Sequence, residues 1–359
     1  QKMSKSRGNV ADPLEVMGKY GTDAFRLTLA AMAAQGRDIR LSEERIAGYR
    51  NFANKTWNAA RLVLSNLEGF DPALAKKTPP ALPDVWIESR LAAAVAEART
   101  ALKTYRFSDA ASALYQFLWH EFCDWYLEMI KPSLAPDALT GDRIRQRAVL
   151  LSVYETILAL GHPFIPFLTE ELWHALPGGR SLLYDRPYPA ADASFADEDV
   201  EESMAHLMEV IRAVRNIRSE LNVPPGKKVA VRLKGQHGEL AFLRDHEEIV
   251  RRLARAERVA YMDPDYIPVQ DATAVVNDIE VCIPLAGLID FDQEARRLRK
   301  EIEKGNAELA RVAGQLVNDR FTANAPQDIV DALRDRQAAL EQKLGKLGEN
   351  LELGSRYLS

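Results

Sequence analysis

The chain has 359 residues, 47% of them hydrophobic and 28% charged, so it is long enough for several domains with sizeable cores. Its net charge of −5 excludes a generally basic nucleic-acid-binding protein, and any RNA contact must come from a local basic face. No apolar run is long enough to span a membrane, and Cys123 and Cys282 form no CxxC pair. We therefore expect a cytoplasmic protein with reduced, buried thiols and no metal site.

The chain opens with the cationic segment Lys2-Met3-Ser4-Lys5-Ser6. Two ammonium groups suit a polyanion whose charge grows during reaction, such as pyrophosphate leaving ATP. Lys2 and Lys5 are therefore candidate catalytic and ATP-binding residues, and Ser4 and Ser6 can donate hydrogen bonds to the nucleotide. A solvated surface loop is the alternative for any short Lys/Ser run.

Capping patterns predict three helices after this segment. Asp12-Pro13 starts a short helix that ends at Gly21, and Thr22 is predicted to cap the second helix. Ser42, followed by two glutamates, predicts a long third helix that reaches about Leu67.

The third helix is predicted to carry an RNA-binding face opposite its apolar face. Amides read base edges, and Lys and Arg hold phosphates. Leu62 is expected to be exposed within this face, where an apolar side chain can press on an unstacked base. An ordinary solvated face is the alternative, but such faces usually include carboxylates and this one has none. The candidate tRNA-binding residues on this helix are Arg50, Asn51, Lys55, Asn58, Arg61 and Leu62, with Asn54 beside them.

Helical patterns continue to about residue 221, separated by short stretches rich in Pro, Gly and Asp. They lie near 86–105, 108–130, 141–161, 165–176 and 199–221. This arrangement predicts a helix bundle over 43–224.

The pattern changes after Asn222-Val223-Pro224-Pro225-Gly226. Alternating apolar residues predict strands starting at Val229 and near 259–262, with a helix over about 239–255 between them. Asn277-Asp278 is predicted to turn a hairpin. We therefore expect a small α/β module over 225–288.

Two heptad series predict an antiparallel coiled-coil hairpin over 289–359. The first series runs from Leu298 to Leu316 if Gly305 fills one seam position, and Arg336 interrupts the second. The region from 290 to 359 holds 12 Lys/Arg and 13 Asp/Glu, so a salt-bridged coiled coil is the plain alternative to an RNA-binding arm. Its basic cluster comprises Arg296, Arg297, Arg299, Lys300 and Lys304.

Several of these strings resemble the class I aminoacyl-tRNA synthetases. The opening string is similar to their KMSKS signature. The segments 48–61, 122–128 and 162–173 resemble parts of the anticodon-binding bundle in the valine, isoleucine and leucine enzymes. The segments 36–40 and 222–228 resemble the corresponding strings of the valine-specific enzymes. The predicted terminal hairpin is also similar to those enzymes, whereas isoleucine enzymes commonly end in zinc-binding cysteines that this chain lacks.

The resemblance implies a mainly α protein and an enzyme that activates valine with ATP and Mg²⁺ and transfers it to tRNA(Val). It makes Lys5 the more critical lysine, and residues 1–42 the end of a catalytic domain. It also implies that 289–359 is a tRNA-binding arm, contacting tRNA through Arg296, Arg297 and Lys300.

The signature stands at residue 1, so we expect the catalytic domain before it to be absent. The chain alone should then be an inactive monomer that holds no cofactor tightly. Alternatives are an isoleucine- or leucine-type synthetase, a stand-alone tRNA-binding module and a coiled-coil adaptor. Leu62 departs from the aromatic residue that the family pattern suggests for stacking, which leaves its role open.

Overall fold

The structure is a computed structural model that describes residues 12–33, 41–71, 73, 80–178, 181–285, 288, 291–317 and 327–356. The side chains of 291–295, 297–298, 327–329, 346–347 and 349–356 are not described. The predicted loop residues Lys2, Ser4, Lys5 and Ser6 lie outside the described residues, as does the 36–40 string. The chain divides into two units, residues 1–204 and 205–359, and each is described by itself.

The first unit begins with two short helices, α1 (Pro13–Tyr20) and α2 (Thr22–Met32). The predicted cap of α1 is confirmed, since the Asp12 side chain accepts a hydrogen bond of 2.8 Å from the Leu14 backbone N–H. The predicted cap of α2 is wrong, because Thr22 is its first helical residue. Gly21 ends α1 and also precedes α2. Its φ of 93° is a backbone conformation that glycine adopts without steric cost.

Helix α3 (Glu43–Leu67) matches its prediction, and the Ser42 hydroxyl accepts from the Arg45 backbone N–H at its start. The later helices of this unit are α4 (Leu82–Lys103), α5 (Phe107–Tyr115), α6 (Leu127–Leu134), α7 (Thr140–Gly161) and α8 (Pro166–Ala175). These helices contact one another as a bundle, which confirms the predicted architecture. The single helix predicted over 108–130 is wrong in detail, because a π-helical segment, Gln116–Tyr126, joins α5 to α6.

A buried polar network lies in the core of this bundle. The Asp84 carboxylate is fully buried and accepts hydrogen bonds from the Gln146 amide at 2.7 Å and the Tyr126 hydroxyl at 3.1 Å. Arg145 Nε lies 3.3 Å from the same carboxylate. The Gln146 amide and the Tyr126 hydroxyl supply hydrogen-bond donors that a buried carboxylate requires, so the network ties α4 to α7 and the π-helical segment.

The second unit contains the predicted α/β module. Helix α9 (Glu198–Glu220) leads into a four-stranded sheet of order β2-β1-β4-β3. The strands are β1 (Val229–Lys234), β2 (Ala256–Met262), β3 (Asp271–Val276) and β4 (Ile279–Pro284). Strands β1 and β2 are parallel, and the predicted hairpin at Asn277-Asp278 joins antiparallel β3 and β4.

The single helix predicted over 239–255 is wrong. Two helices occupy this region, α10 (His237–Asp245) and α11 (Glu247–Leu253). The backbone leaves the helical region at His246, with φ of −115°, and its imidazole contacts the carbonyl of Phe242 at 2.9 Å. The same carbonyl also accepts from the His246 backbone N–H at 3.2 Å, so α10 closes on Phe242 at this residue.

The predicted hairpin consists of α12 (Phe291–Val317) and α13 (Gln327–Arg356), which contact each other along their length. Gly305 occupies a seam position as predicted, because a Cβ atom there would lie 2.8 Å from Leu344 Cδ2. Arg336 is exposed and its guanidinium pairs with Glu308 at 2.5 Å, so the interruption in the second heptad series becomes an interhelical ion pair. Within the described residues, no helix is long and apolar enough to cross a membrane.

Candidate nucleic-acid interface

The exposed side of α3 carries the candidate site of the first unit. Arg50, Asn51, Asn54, Asn58 and Arg61 are all exposed there, and we call this set the α3 stripe. Arg50 and Asn51 are adjacent and the others follow at spacings of three or four residues, which places all five along one side of the helix. Among the described residues, none of these side chains has a hydrogen-bond or ion-pair partner. The stripe therefore offers three amides and two guanidinium groups to a ligand.

The opposite side of α3 holds the helix in the bundle. Phe52, Thr56, Ala60, Val63 and Leu67 are buried there, each at no more than 2% exposure. The burial of this apolar face fixes the rotation of the helix about its own axis. It thereby directs the α3 stripe to solvent.

Lys55 and Leu62 do not lie in the centre of the exposed face. Both are only partly exposed, which corrects the expectation for Leu62. Lys55 Nζ lies 2.6 Å from Asp124 Oδ1 and 3.9 Å from the centre of the Trp119 ring. The α3 stripe itself contains no carboxylate, but Glu43 and Glu44 occupy the first turn of α3 and Asp124 of the π-helical segment stands at the border of the face. Lys55 is therefore held by a carboxylate and an aromatic ring before any ligand arrives.

Trp57 is a candidate contact that the sequence reasoning missed. Its side chain is 45% exposed although tryptophan is usually buried. It lies three residues after Asn54 and four before Arg61, so it borders the α3 stripe on the side away from Lys55. An exposed indole ring provides the flat stacking surface that Leu62 lacks. Its helical spacing from Asn54 and Arg61 is the sequence signal that could have placed Trp57 beside the stripe.

A column of aromatic rings supports the Lys55 side of α3. Phe52 and Tyr115 stack with ring centres 5.0 Å apart, and Tyr115 stacks on Trp119 at 5.5 Å. The Lys55 ammonium group lies over the Trp119 ring, and the column of rings joins α3 to the π-helical segment. Stacked rings position the lysine without a long hydrogen-bond network.

A cleft of about 400 Å³ opens beside the first turns of α3. Arg45 and Tyr49 of α3, Ser108 of α5, and Tyr115 and Gln116 contribute to its lining. Burial raises the pKa of Tyr49 and Tyr115, so both hydroxyl groups remain protonated hydrogen-bond donors at neutral pH. The cleft is therefore lined by aromatic rings and by hydrogen-bonding side chains.

The two thiols are free and differ in burial. Cys282 is buried, whereas Cys123 is only partly buried, which corrects the expectation of two buried thiols. Burial raises the pKa of Cys123 to about 12 and that of Cys282 to about 11, so neither is an activated nucleophile. Among the described residues, no three His, Cys, Asp or Glu side chains are grouped so as to hold a metal ion.

The predicted hairpin contacts are described in part. Arg296, Arg299, Lys300 and Lys304 are exposed on α12, and the side chain of Arg297 lies outside the described part of the chain. Their spacing places several cations on the outside of the hairpin rather than in its seam.

Three family descriptions match separate parts of this chain. "Anticodon-binding domain of tRNA ligase" matches residues 84–233, and "Valyl tRNA synthetase tRNA binding arm" matches residues 290–353. "tRNA synthetases class I (I, L, M and V)" matches residues 1–42. The last match contains the predicted loop lysines.

Curated relatives match almost the whole chain. Valine–tRNA ligases of Syntrophotalea carbinolica and Geobacter sulfurreducens are each 47% identical, over 98% of this chain and 40% of the relative. That of Thermotoga maritima is 40% identical over 97% of this chain and 39% of the relative. The chain thus spans about two-fifths of the length of the curated relatives it matches. A solved LeuRS–tRNA–LeuAMS complex of Agrobacterium radiobacter K84 is 17% identical over 73% of this chain and 31% of its own, with a TM-score of 0.44.

Proposed function

The chain belongs to the valine–tRNA ligase family, and from this we propose that it is the tRNA-binding portion of an enzyme that joins valine to tRNA(Val). The carrying observation is 47% identity to valine–tRNA ligases over 98% of the chain. The proposed setting is the cytoplasm, with the chain as a monomer. ATP, Mg²⁺ and valine would be bound only by an enzyme that includes a nucleotide-binding domain.

We propose that the α3 stripe reads the anticodon. Its amides can donate to and accept from base edges at once, and its arginines can pair with base or phosphate oxygens. Trp57 at its border provides a stacking surface, and the stripe itself contains no carboxylate. Single-stranded anticodon bases are the kind of RNA target that such a face recognises.

Domain roles follow the sequence prediction. Residues 1–42 would end the catalytic domain, 43–224 would form the anticodon-binding bundle, 225–288 the α/β module and 289–359 the arm. In the loop, Lys2 and Lys5 would neutralise charge on the departing pyrophosphate, with Ser4 and Ser6 donating hydrogen bonds. Arg296, Arg297 and Lys300 would meet tRNA phosphates.

Equilibrium titration of this chain with tRNA(Val) transcripts tests the proposal. Asn58→Ala and Arg61→Ala should each weaken binding by about 1–3 kcal/mol where a base contact is lost. Lys103→Ala is the matched control for Arg61→Ala, because Lys103 is an exposed cation on α4 away from the stripe. A second transcript with a changed anticodon should bind the parent chain more weakly and respond less to both stripe variants. Equal binding of the two transcripts would reject anticodon reading.

Catalysis has a separate test in the complete enzyme. Lys5→Ala should slow valine-dependent ATP–pyrophosphate exchange far more than it weakens tRNA binding, because its charge acts on the transition state. The isolated chain should show no exchange. Equal losses of exchange and tRNA binding would make the loop an RNA contact instead.

A further inference from the structure

A cationic cluster in the second unit is unused by the proposed function. Between residues 212 and 228 there are five Lys/Arg residues and one acidic residue, Glu220, in a chain whose net charge is negative. Arg218 at the end of α9 is only 7% exposed, which is unusual for an arginine. The loop before β2 brings the Arg255 backbone to Arg218, and Lys228 belongs to the loop after α9.

In the part of the chain that the structure describes, the two guanidinium groups at the centre of this cluster donate to backbone carbonyls. Arg218 donates to the carbonyl of Arg255 at 3.3 Å and to that of Pro224 at 3.4 Å. Arg255 in turn donates to the carbonyl of Pro225. Within the described residues, no carboxylate pairs with Arg218 or Arg255. A nearly buried guanidinium without a counter-ion is uncommon, since buried charges are normally paired.

The two arginines also repel each other. Burial and the neighbouring charge of Arg255 lower the pKa of Arg218. An anion placed between them would relieve this repulsion. It would also accept hydrogen bonds from the N–H groups that the carbonyls do not use, because a guanidinium has five of them.

Neighbouring residues extend the charge to the surface. The Val229 backbone N–H donates to the Arg255 carbonyl at 3.3 Å, so the backbone of Lys228, the residue before Val229, lies close to that of Arg255. Both Lys228 and Arg255 are exposed. The backbone at Asn222 and Arg255 is left-handed, with φ of 52° and 54°, a conformation that Asn tolerates and that Arg adopts where its surroundings hold the loop. The cluster is therefore a fixed feature of the surface.

We propose that Arg218, Arg255 and Lys228 form a binding site for the phosphate backbone of the tRNA, additional to the α3 stripe and the hairpin. Guanidinium groups bind phosphate oxygens in a bidentate manner. The cluster offers no amide-rich reading face, so it adds affinity without choosing the sequence. The inference rests on the proposed tRNA-binding function and names a further surface for it.

The test uses the whole chain and two valine tRNA transcripts, one with its own anticodon and one with a changed anticodon. Binding is measured over a range of KCl concentrations for the parent, Arg255→Gln and Lys228→Gln. Arg244→Gln is the control, because Arg244 is an exposed cation of the same module on α10. In each cluster variant the negative slope of log affinity against log salt should become shallower by about 1, equally for both transcripts. The control should keep the slope of the parent.

Slopes equal to that of the parent in both cluster variants would overturn the inference and leave the α3 stripe proposal intact. A parent chain that binds neither transcript would overturn the proposed function together with this inference. Lys228→Gln decides the matter if Arg255→Gln unfolds in a circular dichroism melt, because the Lys228 side chain is exposed. Stabilisation of the parent by inorganic phosphate that is lost in Arg255→Gln, with unchanged slopes, would identify a free-anion site and reject the RNA assignment.

Discussion

Contacts between residues far apart in sequence determine which candidate side chains are available to a ligand. Lys55 is the clearest case, because its ammonium group is held 2.6 Å from Asp124, a residue 69 positions away. Asn58 and Arg61 lie one turn or two further along the same helix and have no described partner. Residues that look equivalent in the sequence therefore differ in how freely their side chains can contact a ligand.

Asp124→Asn should strengthen tRNA binding, because it removes a carboxylate from the border of the α3 stripe and releases Lys55. The Lys55 and Asp124 side chains are 25% and 43% exposed, so the stability of the fold should change by less than about 1 kcal/mol. Titration with tRNA at low salt measures the effect. Asp109→Asn is the control, since Asp109 is 44% exposed and paired with Arg106 away from the stripe. Equal affinity gains in both variants would indicate a general effect of net charge.

Two buried tyrosines of the bundle give a matched pair for stability. Tyr126 and Tyr154 are both fully buried, but the Tyr126 hydroxyl bonds to Asp84 and Gln146 whereas that of Tyr154 has no hydrogen-bond partner among the described residues. Tyr126→Phe should lower the free energy of unfolding by about 1–3 kcal/mol. Tyr154→Phe should be neutral or stabilising, because it removes an unsatisfied polar group. Urea unfolding followed by circular dichroism compares them, and equal losses would contradict the described network.

Elements depart from their simplest sequence patterns where neighbouring elements impose a constraint. The predicted helix over 108–130 contains the π-helical segment, whose Trp119 stacks on Tyr115 and receives Lys55. Helices α10 and α11 separate at His246, where the imidazole contacts the Phe242 carbonyl. In the hairpin of α12 and α13, Leu344 faces Gly305, which has no side chain, and Leu344 is only partly buried. Each departure has an identifiable contact behind it.

Two glycines of α12 should respond differently to alanine. A Cβ atom at Gly314 would meet nothing within 4 Å, so Gly314→Ala should stabilise the helix by about 0.5–1 kcal/mol. At Gly305 the same atom would lie 2.8 Å from Leu344 Cδ2, so the gain should be smaller or reversed. Amide hydrogen exchange in α12 and α13 measures both changes locally. Equal protection in the two variants would show that Gly305 is not in the seam.

The net charge of the whole chain does not predict which ligands it can bind, because its cations are concentrated on separate surfaces. The whole chain carries −5, yet the α3 stripe contains two arginines and no carboxylate, and α12 presents several exposed cations. Local potential over a few ångströms controls contact with a polyanion, since salt screens charges beyond about 10 Å. An acidic chain can therefore bind RNA through separate basic surfaces.

Removal of residues 289–359 from the complete enzyme should raise the apparent KM for tRNA and leave valine activation nearly unchanged. The exposed cations Arg299, Lys300 and Lys304 belong to the deleted hairpin and suit phosphate contacts rather than base reading. Aminoacylation kinetics and ATP–pyrophosphate exchange measure the two quantities. Unchanged tRNA affinity at low salt would make the hairpin a structural or protein-binding element.

The sequence by itself determined the features that depend on near neighbours along the chain. The cap at Asp12, the start of α3 at Ser42, the turn at Asn277-Asp278 and the seam position of Gly305 were all predicted correctly. The resemblance to class I synthetases also came from short strings of adjacent residues. Caps, turns and heptads are local because their hydrogen bonds and periodicity span only a few residues.

Only the tertiary structure decided which side chains meet. The pairing of Lys55 with Asp124, the exposure of Trp57 and the approach of Arg255 to Arg218 depend on how distant segments pack. Helical spacing determines the direction in which a side chain points from the helix axis. The rotation of the helix in the bundle determines whether that side chain faces solvent or protein. Sequence patterns therefore predicted the faces of α3, and packing selected the residues on them that remain free to bind.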